Sequence, residues 1–129
     1  MTATDRATLL AQAAAIAAAD KLATDVIALD VSDQLVITDV FLLASAPNDR
    51  QVRSIVDAIE EALLAHKAKP IRREGASEGR WVLLDFGDLV VHVQHADERE
   101  YYSLERLWRD CPVIELPPEA RGRASSAAE

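Results

Sequence analysis

The chain has 129 residues, half of them hydrophobic and 28% charged, with a formal charge of −8. That length supports one domain with a core of its own, and no apolar stretch approaches the roughly 20 residues of a membrane helix. The carboxylate excess disfavours direct nucleic-acid binding, which needs cations against phosphate, and the single Cys111 excludes an intrachain disulfide and fits a reducing cytoplasm.

Thr4-Asp5 predicts the start of a helix: a capping residue followed by an acidic first turn, rather than the basic-then-apolar opening of a signal peptide. Leu9, Leu10, Ala13, Ile16 and Ala17 follow at helical spacing, and the helix is expected to end near Leu22. Val26–Asp30 reads as a strand buried on both faces, and Val36-Ile37 with Val40–Ala44 as a second strand region. Ser45–Asp49 makes a turn, with Asn48 or Asp49 as the cap of a long amphipathic helix. Its apolar stripe is Val52, Ile55, Val56, Ile59 and Leu63, and it should stop around His66 to Ala68, before Pro70.

Ile71–Arg73 reads as a weak, polar strand near an edge, followed by a loop over Glu74–Gly79. Trp81–Phe86 and Leu89–Val93 are two strands joined at Gly87-Asp88, a hairpin signal. Asp97 or Ser103 could cap short helical segments reaching Trp108. If that segment is one helix, Tyr101, Leu104, Glu105 and Trp108 share a face. The order α-β-β-α-β-β-β-α predicts an α/β (α+β) fold: a mixed sheet of about five strands with packed helices. The domain is expected to span residues 1–110. Residues 111–129, with Pro117-Pro118 and a small, polar end, read as a flexible C-terminal tail.

The unusual side chains are concentrated late in the chain: both tryptophans, both tyrosines and two of the three histidines lie between Trp81 and Trp108. His92 and His95 are three apart on a strand and so point to opposite faces, Cys111 is distant, and no CxxC or HExxH motif accompanies them. A packed or interface His92 and a surface His95 are therefore preferred to a zinc site. Asp85 and Asp88 flank a turn, and Asp30, Asp33 and Asp39 end or follow strands. Such carboxylates could hold magnesium for nucleotidyl transfer, the competing reading. Yet the chain contains no Asp-x-Asp, no phosphate-cradling glycine loop and no GxSxG elbow. Neither a cofactor nor a metal is expected. Trp81, between a polar loop and a strand, fits either the core or an exposed anchor, and residues 85–110 carry seven carboxylates against three arginines. An acidic surface of this kind suits a basic partner.

At these residues the chain resembles the ribosomal silencing factor family, RsfS, also called iojap. The resemblance covers roughly residues 7–108. It rests on Asp25–Val31, Ile37–Phe41, Asn48–Val52, Glu74-Gly75, Trp81 with Leu84–Asp88, Val90–Val93, and Arg99–Trp108, in that order and spacing. Pro47-Asn48 departs from the small hydroxyl residues usual before the long helix in such proteins. The resemblance implies a cytoplasmic, non-catalytic protein with a reduced nucleotidyltransferase-like fold, and allows a homodimer. It also implies binding to ribosomal protein L-fourteen on the large ribosomal subunit, which blocks joining of the small subunit and represses translation under nutrient limitation. The expected partner-binding residues are Trp81, Asp85, His92, Glu98, Tyr101, Tyr102, Glu105 and Trp108. Trp81 and Tyr101 serve as apolar anchors, and the carboxylates pair with basic groups of the partner.

Overall fold

A computed structural model describes residues 2–120. Thr4 caps the first helix, α1 (Asp5–Asp20), its Oγ1 accepting from the Ala7 N–H at 3.1 Å. The buried face of α1 is Ala7, Leu10, Ala11, Ala14, Ala15 and Ala18, while Leu9 and Ile16 point outward. This corrects the expected stripe. In an alanine-rich helix the larger residues do not define the inner face. Here the smaller ones do, because they let the helix lie close to its neighbours. The helix ends in a Schellman motif: Ala23 N–H donates to Ala18 O and Leu22 N–H to Ala19 O, with Leu22 at φ +65°.

Strand β1 (Thr24–Asp30) pairs antiparallel with β2 (Val40–Ala46), with a register break between Thr24 and Ile27 where Asp25 takes a positive φ. Val36 and Ile37 belong to the connecting loop and are exposed, contrary to the strand expected there. The chain turns back after Val31, whose carbonyl accepts from the Gln34 and Leu35 N–H groups, so no partner strand meets residues 36–37. Asn48 caps α2 (Asp49–Leu64), its Oδ1 accepting from the Gln51 N–H at 2.8 Å. All five residues of the expected stripe, Val52, Ile55, Val56, Ile59 and Leu63, are buried.

Strands β3 (Arg72–Glu74), β4 (Trp81–Asp85) and β5 (Leu89–His95) complete an antiparallel run. β5 then lies parallel to β2, the chain passing between them through α2, β3 and β4. Two short helices follow, α3 (Ala96–Tyr102) and α4 (Leu104–Leu107), separated by Ser103 at φ +46°. A sixth strand, β6 (Val113–Ile114), pairs with β1, giving the sheet order β3-β4-β5-β2-β1-β6. The expected mixed α+β class holds, with six strands in place of about five.

The last strand also corrects the expected tail. Pro112 O accepts from the Asp30 N–H at 2.8 Å, and Leu116 and Ala120, the latter in a 3₁₀ turn (Pro118–Ala120), are buried in the main core beside α1. Residues 111–120 thus close the sheet edge, and the part of the expected tail at 121–129 lies outside the described residues. Composition misled because β6 is only two residues long and its neighbours are prolines.

Alternation along the strands divides the side chains between two faces. Val40, Leu42, Ala44, Val82, Leu84, Leu89, Val91 and Val93 join α1 and α2 in the main core. The opposite face carries a smaller cluster of Leu29, Val31, Phe41, Leu43 and Cys111, against which Leu104 and Trp108 pack. That second face, half covered by α3 and α4, holds the residues of interest.

Candidate binding face

Register places Trp81 on β4 opposite Gln94, and Leu83 opposite His92 on β5, while His92 also lies beside Leu43 of β2. Diagonal neighbours on one face are within reach of long aromatic side chains. The result is an unbroken file of rings crossing the sheet. Tyr101 meets Tyr102 edge-on at 4.9 Å between centroids, and Tyr102 meets Trp81 at 4.8 Å. Trp81 then meets His92 at 6.1 Å, His92 meets Phe41 at 5.1 Å, and Phe41 meets Trp108 at 5.2 Å. The three edge-on contacts, Tyr101–Tyr102, His92–Phe41 and Phe41–Trp108, add to the stabilisation from burial alone.

The file is exposed at its tyrosine end and buried at its middle. Tyr101 is 81% exposed and Tyr102 47%, Trp81 and Trp108 are half-buried, and His92 and Phe41 are buried. Trp81 Nε1–H donates to His92 Nδ1 at 3.1 Å, which fixes the indole against the sheet. His92 is therefore packed, as one of the two sequence alternatives had it, and it supports Trp81 from below. Burial chiefly, and the Arg99 guanidinium secondarily, hold its imidazole down at about 4, so it is neutral near pH 7. His95, expected at the surface, is half-buried and caps α3, its Nδ1 accepting from the Asp97 N–H at 3.1 Å.

The expected single helical face of Tyr101, Leu104, Glu105 and Trp108 does not form. Ser103 in the left-handed region breaks the segment, so Tyr101 faces outward while Leu104 and Trp108 pack inward on the second cluster. A surface cleft of about 810 Å³ runs along this break, lined by Tyr101, Tyr102, Ser103, Arg106 and Leu107 among others.

The carboxylates expected to meet a partner have neighbours within the chain. Glu98 bridges Arg80 at 3.0 Å, and Glu105 accepts from Arg99 through both oxygens at 3.0–3.2 Å. Asp85 lies at the other end of β4 from Trp81, about 13 Å away along the strand, and its Oδ1 accepts from the Gly87 N–H at 2.8 Å in the hairpin turn. Tyr101, Tyr102, Trp81, His92 and Trp108 are thus brought together, Glu98 and Glu105 flank them, and Asp85 stands apart.

Three participants were not singled out in the sequence. Phe41 was legible in principle, since Phe41, Leu43 and Ser45 share one face of β2 by alternation. Arg99 looked like one charge among many on a short helix, and nothing in its spacing marks it as buried. Gln94, fully buried, has both amide atoms unpartnered among the described residues.

Three carboxylates of the competing magnesium reading, Asp30, Asp39 and Asp85, serve structural roles. Asp30 accepts from the Ser32 Oγ–H at 2.6 Å and from the Ser32 and Ala3 N–H groups, and Asp39 accepts from the Thr4 N–H at 2.9 Å. Burial alone would raise the Asp30 carboxyl, but these bonds outweigh it and hold the group below its usual range. Asp85 caps its turn, and the Asp88 carbonyl accepts from the Asp39 and Val40 N–H groups. Among the described residues no three His, Cys, Asp or Glu side chains are grouped to hold a metal ion. Cys111 is buried, and burial, then the nearby Asp110, Asp30 and Asp33 charges, push its thiol up, away from thiolate reactivity.

These features define an α+β protein whose mixed sheet carries two helices on one face and an aromatic strip under a broken helix on the other. Comparison with known proteins gives the family. A family model described as "Ribosomal silencing factor during starvation" matches residues 4–129, and the chain belongs to this ribosomal silencing factor (RsfS) family. The ribosomal silencing factor RsfS of Bacillus subtilis is 44% identical over 103 residues, covering 80% of this chain and 87% of the relative. A crystal structure from Bacillus halodurans superposes with a TM-score of 0.71 at 40% identity, over 81% of this chain and 95% of the other. One from Chromobacterium violaceum superposes with a TM-score of 0.77 at 29% identity, over 95% and 98%. The structural match takes in more of this chain than residues 7–108, on which the resemblance was first read.

Proposed function

We propose that this chain acts in the cytoplasm as a translation repressor. It binds the large ribosomal subunit through ribosomal protein L-fourteen and sterically prevents the small subunit from joining under nutrient limitation. Membership of a family of ribosomal silencing factors supports the ribosomal role. The observation that carries the reading to this site is the exposed end of the aromatic strip. Tyr101 and Tyr102 stand out of the surface against a half-buried, hydrogen-bonded Trp81. Rigid aromatic rings with a polar tip are favoured anchors, because little rotamer freedom is lost when they are covered.

In this reading Trp81, Tyr101 and Tyr102 touch the partner. His92 and Trp108 hold the strip from behind. Glu98 and Glu105 keep the flanking helices in place, and Glu98, held by Arg80 through one oxygen, offers the other to basic groups at the rim. The net charge of −8 suits a basic partner and speeds encounter. Cosedimentation with isolated large subunits tests the assignment. The unaltered chain should pellet with them, and Trp81→Ala should weaken binding by about 2 kcal/mol, roughly thirtyfold. Wild-type affinity in that variant would remove Trp81 from the contact.

A further inference from the structure

The helices that carry Tyr101 and Tyr102 are too short to be stable on their own account, at seven and four residues. Apolar packing holds them only in part: Leu104 of α4 leans on the second cluster and Tyr102 of α3 on Trp81, but Arg99 is the one fully buried residue of α3, and α4 has none. Arg99 instead gathers four elements. Its Nε donates to both Glu105 oxygens, linking α3 to α4 across the Ser103 break. One terminal nitrogen donates to the Asp25 carbonyl of β1 at 2.6 Å, and the other reaches Ser45 Oγ of β2 at 3.4 Å. The Asp25 carbonyl is one of β1's own, at the residue whose positive φ interrupts the β1–β2 register. Beside Ser45 in the sheet register lies Gln94, buried with its amide unpartnered among the described residues, so water would gain access to an unsatisfied group if α3 lifted.

We infer that Arg99 is a positioning residue. Its fork of bonds to Asp25, Ser45 and Glu105 locks α3 and α4 onto the sheet and so sets where Tyr101 and Tyr102 stand, without itself touching a partner. The three bonds leave from three separate nitrogens held in one rigid plane, and the single nitrogen of lysine cannot span the same partners, so lysine is a poor substitute. The inference rests on the proposed binding face, and it makes binding depend on a charge pair within the chain.

The experiment compares the full-length chain with Arg99→Met, Arg99→Lys and Glu105→Gln. It measures amide hydrogen exchange, global unfolding and cosedimentation with isolated large subunits. Arg99→Met should speed exchange across residues 96–108 at least tenfold while amides of α1, α2 and the central strands keep their protection. Its affinity for large subunits should fall tenfold or more. Arg99→Lys should recover only part of either effect, and Glu105→Gln should show a smaller loss of both. Unchanged exchange over 96–108, or Arg99→Met binding as tightly as the unaltered chain, would overturn the inference. If Arg99→Met does not fold, Glu105→Gln decides, and no change in its exchange or affinity counts against the lock. If the unaltered chain fails to pellet, the ribosomal reading fails separately, while the exchange data still report on the lock.

Discussion

His92 shows how one residue ties the sheet to the surface. It accepts from the Trp81 indole, meets Phe41, and is buried with its imidazole held at about 4. In the unfolded chain a histidine titrates near 6.5. As pH falls through the window from about 6.5 to about 4, the unfolded state takes up a proton that the native state refuses, so stability is lost with acidification and is fully present above it. The loss should be about 2 kcal/mol by pH 5 and about 3 kcal/mol once both states are protonated. Urea unfolding of the wild-type chain and of His92→Phe at pH 7.5, 6 and 5 measures it. The difference between the two proteins should move in favour of the variant as pH drops. A pH-independent difference would mean that His92 titrates normally in the fold.

Among the elements, helix ends and the last strand carry the sharpest expectations. Leu22 and Lys67 each follow a helix in the left-handed region, at φ +65° and +64°, where a side chain is strained and glycine is not. Leu22 is 56% exposed and so gives up little packing. Leu22→Gly should raise stability by about 0.5–1 kcal/mol after the entropic cost of glycine in the unfolded chain, read from the midpoint of chemical denaturation. Leu116 lies just beyond β6 and is buried in the main core beside α1. Leu116→Ala should cost about 2–4 kcal/mol, whereas a flexible tail would make the change neutral.

The elements also show what was legible in the sequence. The α2 stripe, the β4–β5 hairpin and the caps Thr4 and Asn48 are local patterns, set by spacing and by single side chains, and they read directly. The inner face of α1, the strand β6 and the break at Ser103 are decided by long-range partners: α2, β1, and the Arg99 bonds to β1 and β2. A run of alanines has no inner face of its own, and two residues beside prolines carry no strand signal until β1 supplies the hydrogen bonds. The aromatic residues of the strip were marked by their rarity in this chain. The buried Arg99 was not, because a charge on a short helix looks solvated until the fold closes over it.

For the whole molecule, the architecture covers its two sheet faces differently. One sheet face is spent on a core with α1 and α2, and the other presents rings whose positions are set by the sheet, by His92 and by Arg99. An acidic protein of −8 approaching a basic partner should associate more slowly as salt is added, while dissociation, governed by the aromatic contacts, changes little. In the proposed function, covering this face on the large subunit keeps the small subunit away. Light scattering from mixed subunits measures joining directly. Preincubating large subunits with excess chain should suppress the rise in scattering, and the Trp81→Ala/Tyr101→Ala double variant at the same concentration should not. Joining at the normal rate and extent, on large subunits shown by pelleting to carry the unaltered chain, would contradict the account.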